Sequence, residues 1–349
     1  VSATKFCGDG SCLTNVPGFS PDADGNLVAG VCAGCNIASG GENNVVLGTC
    51  AGKSLTTADG NVFIGCYAGA TYSNEAVGRN VFIGKCAGQC AAINGSQIAF
   101  SNVAIGYQAL QGKFGQGSGT CHSVAIGDNA LRCSSTGRAN TAIGEDAGSK
   151  TDTGSHNFFG GYKAGNNNTS GVGNVMIGRR AGKNISGEGN VILGAEAACT
   201  SFSSNSCTGH YNVIAGYYAA NKITGGSNNI VLGFAAGCNM GSVSSNIYIG
   251  KSAGQCNTSG NTNIFIGGYA GIGVTSGDYN IAIGKRAALS NGDNQLVIGC
   301  CSCNWIVGNA NWNVGIGTTN PDLAVGVGNT AKLSVGIVSA YQLYGDGSN

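Results

Sequence analysis

Short apolar triplets recur along this chain at a nearly fixed interval, separated by polar, glycine-punctuated stretches. The pattern is barest between Asn246 and Ala287. It reads Asn246-Ile247-Tyr248-Ile249-Gly250-Lys251-Ser252-Ala253, then Asn263-Ile264-Phe265-Ile266-Gly267-Gly268-Tyr269-Ala270, then Asn280-Ile281-Ala282-Ile283-Gly284-Lys285-Arg286-Ala287, each copy 17 residues after the last. Three apolar residues are too few for a helix, and in a strand successive side chains point to opposite faces, so both faces of each triplet call for cover. Parallel strands buried on both sides carry such sequences. Each triplet therefore predicts one strand of a parallel sheet.

The glycine after the triplet recurs in sixteen copies from Gly30 to Gly299, mostly 17 residues apart, with longer intervals in the first half and between Gly194 and Gly216. Periods near 20 residues mark solenoids, in which each copy is one coil stacked on the next. The glycine suits a corner that needs a positive φ or room for close approach. Three places later stands Ala, from Ala33 to Ala287, as a tight second layer demands; Ser302 takes its place in the last copy. An Asn precedes the triplet from Asn44 to Asn280, with Ser123 in one copy. Stacked at the ~4.8 Å strand spacing, those amides would hydrogen-bond up and down a column and satisfy the turn backbone. One coil buries too little apolar surface to offset its own ordering, so stacking on neighbouring coils must supply the remainder, with neighbouring chains as a further source. The expected fold is all-β, a parallel β-roll or β-solenoid of about 16 coils with a ~17-residue period.

Three regions follow: 1–24 as an entry or connector segment, 25–303 as the repeat domain, and 304–349 as a C-terminal connector leading to a further module. Gly8-Asp9-Gly10-Ser11 returns as Gly345-Asp346-Gly347-Ser348, from which we expect the natural protein to continue past Asn349; a start at Val1 suggests a fragment or a processed product. Trp305 and Trp312, the two tryptophans of the chain, fall where the period is lost. They read as an apolar plug closing the stack, with a carbohydrate-stacking platform as the alternative.

Composition narrows the class. The 63 Gly with 3 Pro argue against collagen, and 42% hydrophobic content argues against disorder. A net charge of +1 with scattered Lys and Arg gives no reason to expect nucleic acid as a partner, and no apolar run reaches the ~20 residues of a membrane-spanning helix. The 17 Cys lack paired zinc spacing apart from Cys32-Ala33-Gly34-Cys35 and the cluster Cys300-Cys301-Ser302-Cys303, and only His122, His156 and His210 could assist them. Disulfides in an oxidising, extracellular setting are the better expectation, with Cys32 to Cys50 one strand spacing apart and Cys199 to Cys207 closing a long turn. Glycan hydrolysis would need two facing carboxylates, but Glu145, Asp146 and Glu188 read as solvated turn residues. Calcium repeats and a continuous Thr column for ice binding are both missing. No catalytic, cofactor or metal residue is assigned, and the chain is expected not to be an enzyme.

Units such as Asn102-Val103-Ala104-Ile105-Gly106-Tyr107-Gln108-Ala109 and Ser123-Val124-Ala125-Ile126-Gly127-Asp128-Asn129-Ala130 resemble the head repeats of trimeric autotransporter adhesins. The segment Val314-Gly315-Ile316-Gly317-Thr318-Thr319-Asn320-Pro321 and the two Gly-Asp-Gly-Ser segments are similar to tail-fibre and other virion proteins of marine bacteriophages. That resemblance implies a left-handed β-roll of three intertwined chains, a homotrimer. It also implies a structural fibre segment on a virion surface or extracellular appendage, a rigid spacer whose variable turns, such as Gln111 to His122 and Cys199 to Tyr211, face a host receptor or glycan. A bacterial adhesin head and a polysaccharide-degrading tailspike are the alternatives.

Overall fold

The structure is a computed structural model and describes residues 21–71, 78–90, 100–113, 120–199, 207–301, 303–317, 321–322 and 333–335, the last by backbone alone. Nearly all of the entry segment, the closing Gly345 to Ser348 and the middles of both variable turns (114–119 and 200–206) lie outside the described residues. The chain divides into two units, Val1–Thr153 and Gly154–Asn349, and no helix occurs among the described residues.

The first unit holds seven three-residue strands: β1 (Leu27–Ala29), β2 (Val45–Leu47), β3 (Val62–Ile64), β4 (Val81–Ile83), β5 (Val103–Ile105), β6 (Val124–Ile126) and β7 (Thr141–Ile143). Each pairs in parallel with the next, one coil on, as Val62 with Val81 and Ile64 with Ile83. The second unit continues the design with β8 (Phe158–Gly160), β9 (Val175–Ile177), β10 (Val191–Leu193), β11 (Val213–Ala215), β12 (Ile230–Leu232), β13 (Ile247–Ile249), β14 (Ile264–Ile266), β15 (Ile281–Ile283) and β16 (Leu296–Cys300), again all parallel and in register. Both units are therefore parallel β-solenoids with the predicted ~17-residue period. After β16 the direction reverses: β17 (Cys303–Gly308) runs antiparallel to β16 and to β18 (Val314–Ile316), and β19 (Leu333–Val335) pairs in parallel with β18.

The core of each coil forms from the central residue of the triplet and the recurring Ala. From β2 to β15 the central residue is buried and its two neighbours are not. Large central residues stack on their counterparts one coil away, Phe63 on Phe82 at 5.0 Å and Tyr248 on Phe265 at 5.1 Å, with rings tilted by only 5°. Facing these rings, four places after the anchor glycine, stands another glycine. A Cβ at Gly88 would sit 2.4 Å from the Phe82 ring and one at Gly271 2.4 Å from Phe265. Where the central residue shrinks to Ala104 or Ala125, that fourth place holds Leu110 or Leu131, both buried. These coils thus exchange volume between the two places, as close packing favours, while the β7 coil, with Ala142 and Gly148, has a small residue at both.

The anchor glycines from Gly30 to Gly284 all take a positive φ, whereas Gly299, inside β16, does not. Gly216 has φ +139°, and a Cβ there would lie 2.4 Å from the carbonyl oxygen of Gly233 in the next coil. The expected Asn ladder forms beside them. In the second unit the side-chain Nδ2 of Asn174, Asn190, Asn212 and Asn229 each donates to Oδ1 of the Asn one coil earlier at 2.9 to 3.0 Å. The same Oδ1 accepts the main-chain N–H of that next Asn at 2.9 to 3.0 Å. The second Nδ2 proton goes to a turn carbonyl, for example Gly226 O from Asn212 at 2.9 Å. The first unit repeats the scheme from Asn26 to Asn102. At Ser123 the hydroxyl keeps part of it, accepting the Asn140 N–H at 3.3 Å.

Two glycine substitutions separate backbone conformation from close approach. Gly173 has φ +68° and open space for 4 Å around the place a Cβ would take, so Gly173→Ala costs only the left-handed penalty of about 1–2 kcal/mol. Gly216→Ala adds a backbone clash across coils and is expected to cost clearly more. Urea unfolding midpoints of the two variants check the order; equal losses would show that inter-coil contact does not set the anchor position.

Candidate interaction surface

Within one chain each triplet is covered on one side only. The central side chain enters the coil, while the first and third point outward and form apolar columns that stay half-exposed or exposed. Ile143 is 44% exposed in the first unit, and Ile177 at 43%, Leu193 at 38% and Val213 at 41% lie on three consecutive strands of the second. The sequence called for cover on both faces; a single chain supplies one. Contiguous exposed apolar surface of this kind marks an association face in soluble proteins.

The corner after each strand is the second exposed feature. The second residue past the anchor glycine is left-handed whatever its type: Cys50 (φ 55°), Tyr67 (59°), Arg180 (57°), Tyr218 (57°) and Arg286 (55°). In the second unit these corners carry aromatic rings and cations that support one another. Tyr217 stacks on Phe234 at 5.8 Å, Lys251 Nζ lies 5.8 Å from the ring centres of both Phe234 and Tyr269, and the Arg286 guanidinium lies 5.7 Å from Tyr269. Glu196, buried among these corners, pairs with Arg179 at 2.6 Å and Arg180 at 3.4 Å. In the first unit the corners hold Cys32, Cys50, Cys66 and Cys86.

Two expectations are corrected here. Trp305 and Trp312 do not plug the stack, since they are 65% and 77% exposed. The antiparallel turn from β16 to β17 ends the parallel ladder with backbone pairing instead. Among the described residues the cysteines are thiols rather than disulfides, and neither Cys32 to Cys50 nor Cys199 to Cys207 is joined. Cys32 and Cys50 occupy equivalent sites of consecutive coils with the same left-handed backbone (φ 54° and 55°), so their Cα–Cβ bonds run side by side. Their Cβ atoms then stay about one strand spacing, ~4.8 Å, apart, beyond the ~3.5–4.5 Å that a disulfide spans. Cys207 lies on the bridge to Ile185, and its Sγ donates to the Ile223 carbonyl at 3.3 Å.

The titratable groups do not converge. Glu145 and Glu188 are exposed, Asp146 is half-buried, and the main-chain N–H of Glu188 donates to His210 Nδ1 at 3.1 Å. His122 rests edge-on against Phe100 at 4.8 Å, in the other unit from His156 and His210. Among the described residues no three His, Cys, Asp or Glu side chains gather as a metal site. Burial pushes the Cys86, Cys90 and Cys238 thiols up, and burial together with the neighbouring Glu196 pushes Cys199 up to about 12.

Compared with known proteins, the chain matches no family model, no curated protein and no solved structure.

The thiols should differ sharply in reactivity, because the thiolate is the nucleophile. Cys199, with its pKa raised, stays protonated through pH 8 and is also buried, whereas Cys32, Cys35, Cys300, Cys301 and Cys303 are exposed. Among the described cysteines, iodoacetamide at pH 8 followed by peptide mass spectrometry is expected to label those five first and Cys199 only after unfolding. Early labelling of Cys199 in the folded chain would contradict its burial.

Proposed function

We propose that this chain is a structural segment of a surface fibre, on a phage virion or a comparable extracellular appendage, assembled from three copies of itself. One observation carries the reading: the first and third residues of the strand triplets form apolar columns that one chain leaves uncovered. A second and third copy would bury them. The number three comes from the likeness of the repeat to trimeric adhesin heads, and the closing of both strand faces is what such an assembly would achieve. The role is that of a rigid spacer. Coils pinned by in-register backbone pairing, an Asn ladder and fitted side chains resist bending, and the exposed corners, which vary from Cys to Tyr to Arg, are where contact with a host surface would be made.

No catalysis is assigned. Among the described residues the carboxylates are spread over exposed or half-buried turns, and the most buried of them, Glu196, is neutralised by two arginines, an arrangement that favours a supporting role.

Sedimentation equilibrium of the full chain is expected to give about three times its 34.5 kDa. The double variant Ile177→Asp with Leu193→Asp should lower that mass while the circular dichroism stays β-rich, because both side chains point away from the coil interior. Antibody raised against the chain should decorate surface fibres in negative stain. A stable monomer, or labelling confined to cell interiors, would overturn the proposal.

A further inference from the structure

The two tryptophans remain unused by the reading above, and one of them borders a cleft. Strand β17 enters the sheet against the direction of its neighbours, so Gly308 pairs with Leu296 on one side and Val314 on the other. Gly308 has no side chain, and the rows beside it turn outward at Asn294 and Trp312, the residues two places before Leu296 and Val314. Those two rows lie two strand spacings apart, roughly 9.6 Å. The result is an open cleft of about 230 Å³ with Gly308 and Leu296 among its lining residues and Trp312 and Tyr279 at its sides.

The chemistry of that cleft is specific. Trp312 and Tyr279 are 77% and 60% exposed, and both stand on left-handed backbone at φ 63° and 58°. The remaining polar lining consists of amides, Asn294, Gln295, Asn309 and Asn313, with no charged residue among them. Asn309 and Asn313 are held by Asp322, whose Oδ1 accepts their Nδ2 protons at 2.6 and 2.8 Å. Asn309 Oδ1 in turn accepts the main-chain N–H groups of Asn311 and Asn313 at 3.1 and 3.2 Å. Asn313 is 7% exposed, and its Oδ1 is buried without a hydrogen-bond partner. A buried acceptor left open in this way carries an energetic cost that a ligand hydroxyl would relieve after a small widening of the cleft.

We propose that this cleft binds a single neutral sugar ring of a surface glycan, with Trp312 as the stacking platform and the amides of Asn294, Asn309 and Asn313 reading its hydroxyls. An aromatic face suits the apolar C–H side of a pyranose, while an amide rim offers both donors and acceptors. The uncharged lining disfavours uronic acids, phosphates and nucleic acid. The cleft is about the size of one sugar ring, so a chain-end or branch sugar is the ligand expected. This assignment deepens the attachment reading above and rests on it for its biological use, though not for the binding itself.

The test uses the full chain and the methyl glycosides of glucose, galactose, mannose and N-acetylglucosamine, with glucuronate as the charged counterpart. In a Trp305→Phe chain Trp312 is the only tryptophan, and at least one neutral glycoside is expected to change its fluorescence saturably, with a Kd in the millimolar range. Trp312→Asn places in the left-handed site a residue that tolerates it well and removes the platform. By isothermal titration it should lose at least tenfold in affinity with its thermal midpoint preserved, and Tyr279→Asn should weaken binding less. Absence of a saturable response to every neutral glycoside, undiminished binding by Trp312→Asn, or tighter binding of glucuronate would each overturn the proposal. Sedimentation of the same samples keeps the two readings apart: a trimer that ignores sugars removes only this one, and a monomer that binds them removes only the fibre.

Discussion

A column of buried asparagines is what the fold depends on. In each unit the solenoid turns a sharp corner just before its strand, and that corner leaves main-chain groups inside the protein where water does not reach. An unpaired buried amide costs more than a made one contributes, so the corner is viable only if every group finds a partner. Asn answers with one side chain. Its Oδ1 takes two donors from the next coil, and its Nδ2 gives one proton to the previous coil and one to a turn carbonyl, as Asn212 does with Asn229, Asn190 and Gly226. Because each Asn completes its neighbours, the bonds strengthen as a series and lock the register. Ser123 shows the limit of substitution: a hydroxyl serves the next coil's N–H but has no second donor to offer the ladder.

That column was legible in the sequence because its members repeat and because, among short side chains, only the Asn amide combines an acceptor oxygen with two N–H donors. The anchor glycines and the buried Ala after them were legible for a like reason, since Gly216 meets a carbonyl where a side chain would be and Ala219 is wholly buried. What could not be read were positions where the backbone imposes a conformation without dictating a residue. The left-handed corner holds Cys50, Arg180 and Tyr218 alike, so its type carries no signal. The exchange between Phe82 with Gly88 and Ala104 with Leu110 is visible only once both are known to meet in one core. The reversal at β17 was hidden too, because Asn304-Trp305-Ile306-Val307-Gly308 keeps the flavour of the repeat while running the other way. That reversal puts the tryptophans on the surface rather than in a plug.

The surface follows from the same geometry. A triplet with an inward central residue and two outward apolar ones places much of its hydrophobic content where a single chain cannot use it. In a solvated protein such columns invite self-association, and the functional reading rests on that imbalance between what the coil buries and what it displays. Corners and end strands are then free to vary. Cations braced by rings at Phe234 and Tyr269, thiols at Cys50 and Cys66, and the amide-rimmed cleft beside Trp312 are local elaborations on one scaffold.

Hydrogen–deuterium exchange, read residue by residue in the second unit, addresses the Asn column most directly. The main-chain N–H groups of Asn174, Asn190, Asn212 and Asn229 donate to side-chain oxygens rather than to backbone. Protection as strong as that of the strand amides is expected at all four, and Asn212→Ala should release the Asn229 N–H selectively, since Asn212 Oδ1 is its acceptor. Exchange of these four at the rate of open turns in the unaltered chain, or an Asn229 N–H indifferent to the loss of Asn212, would contradict the account.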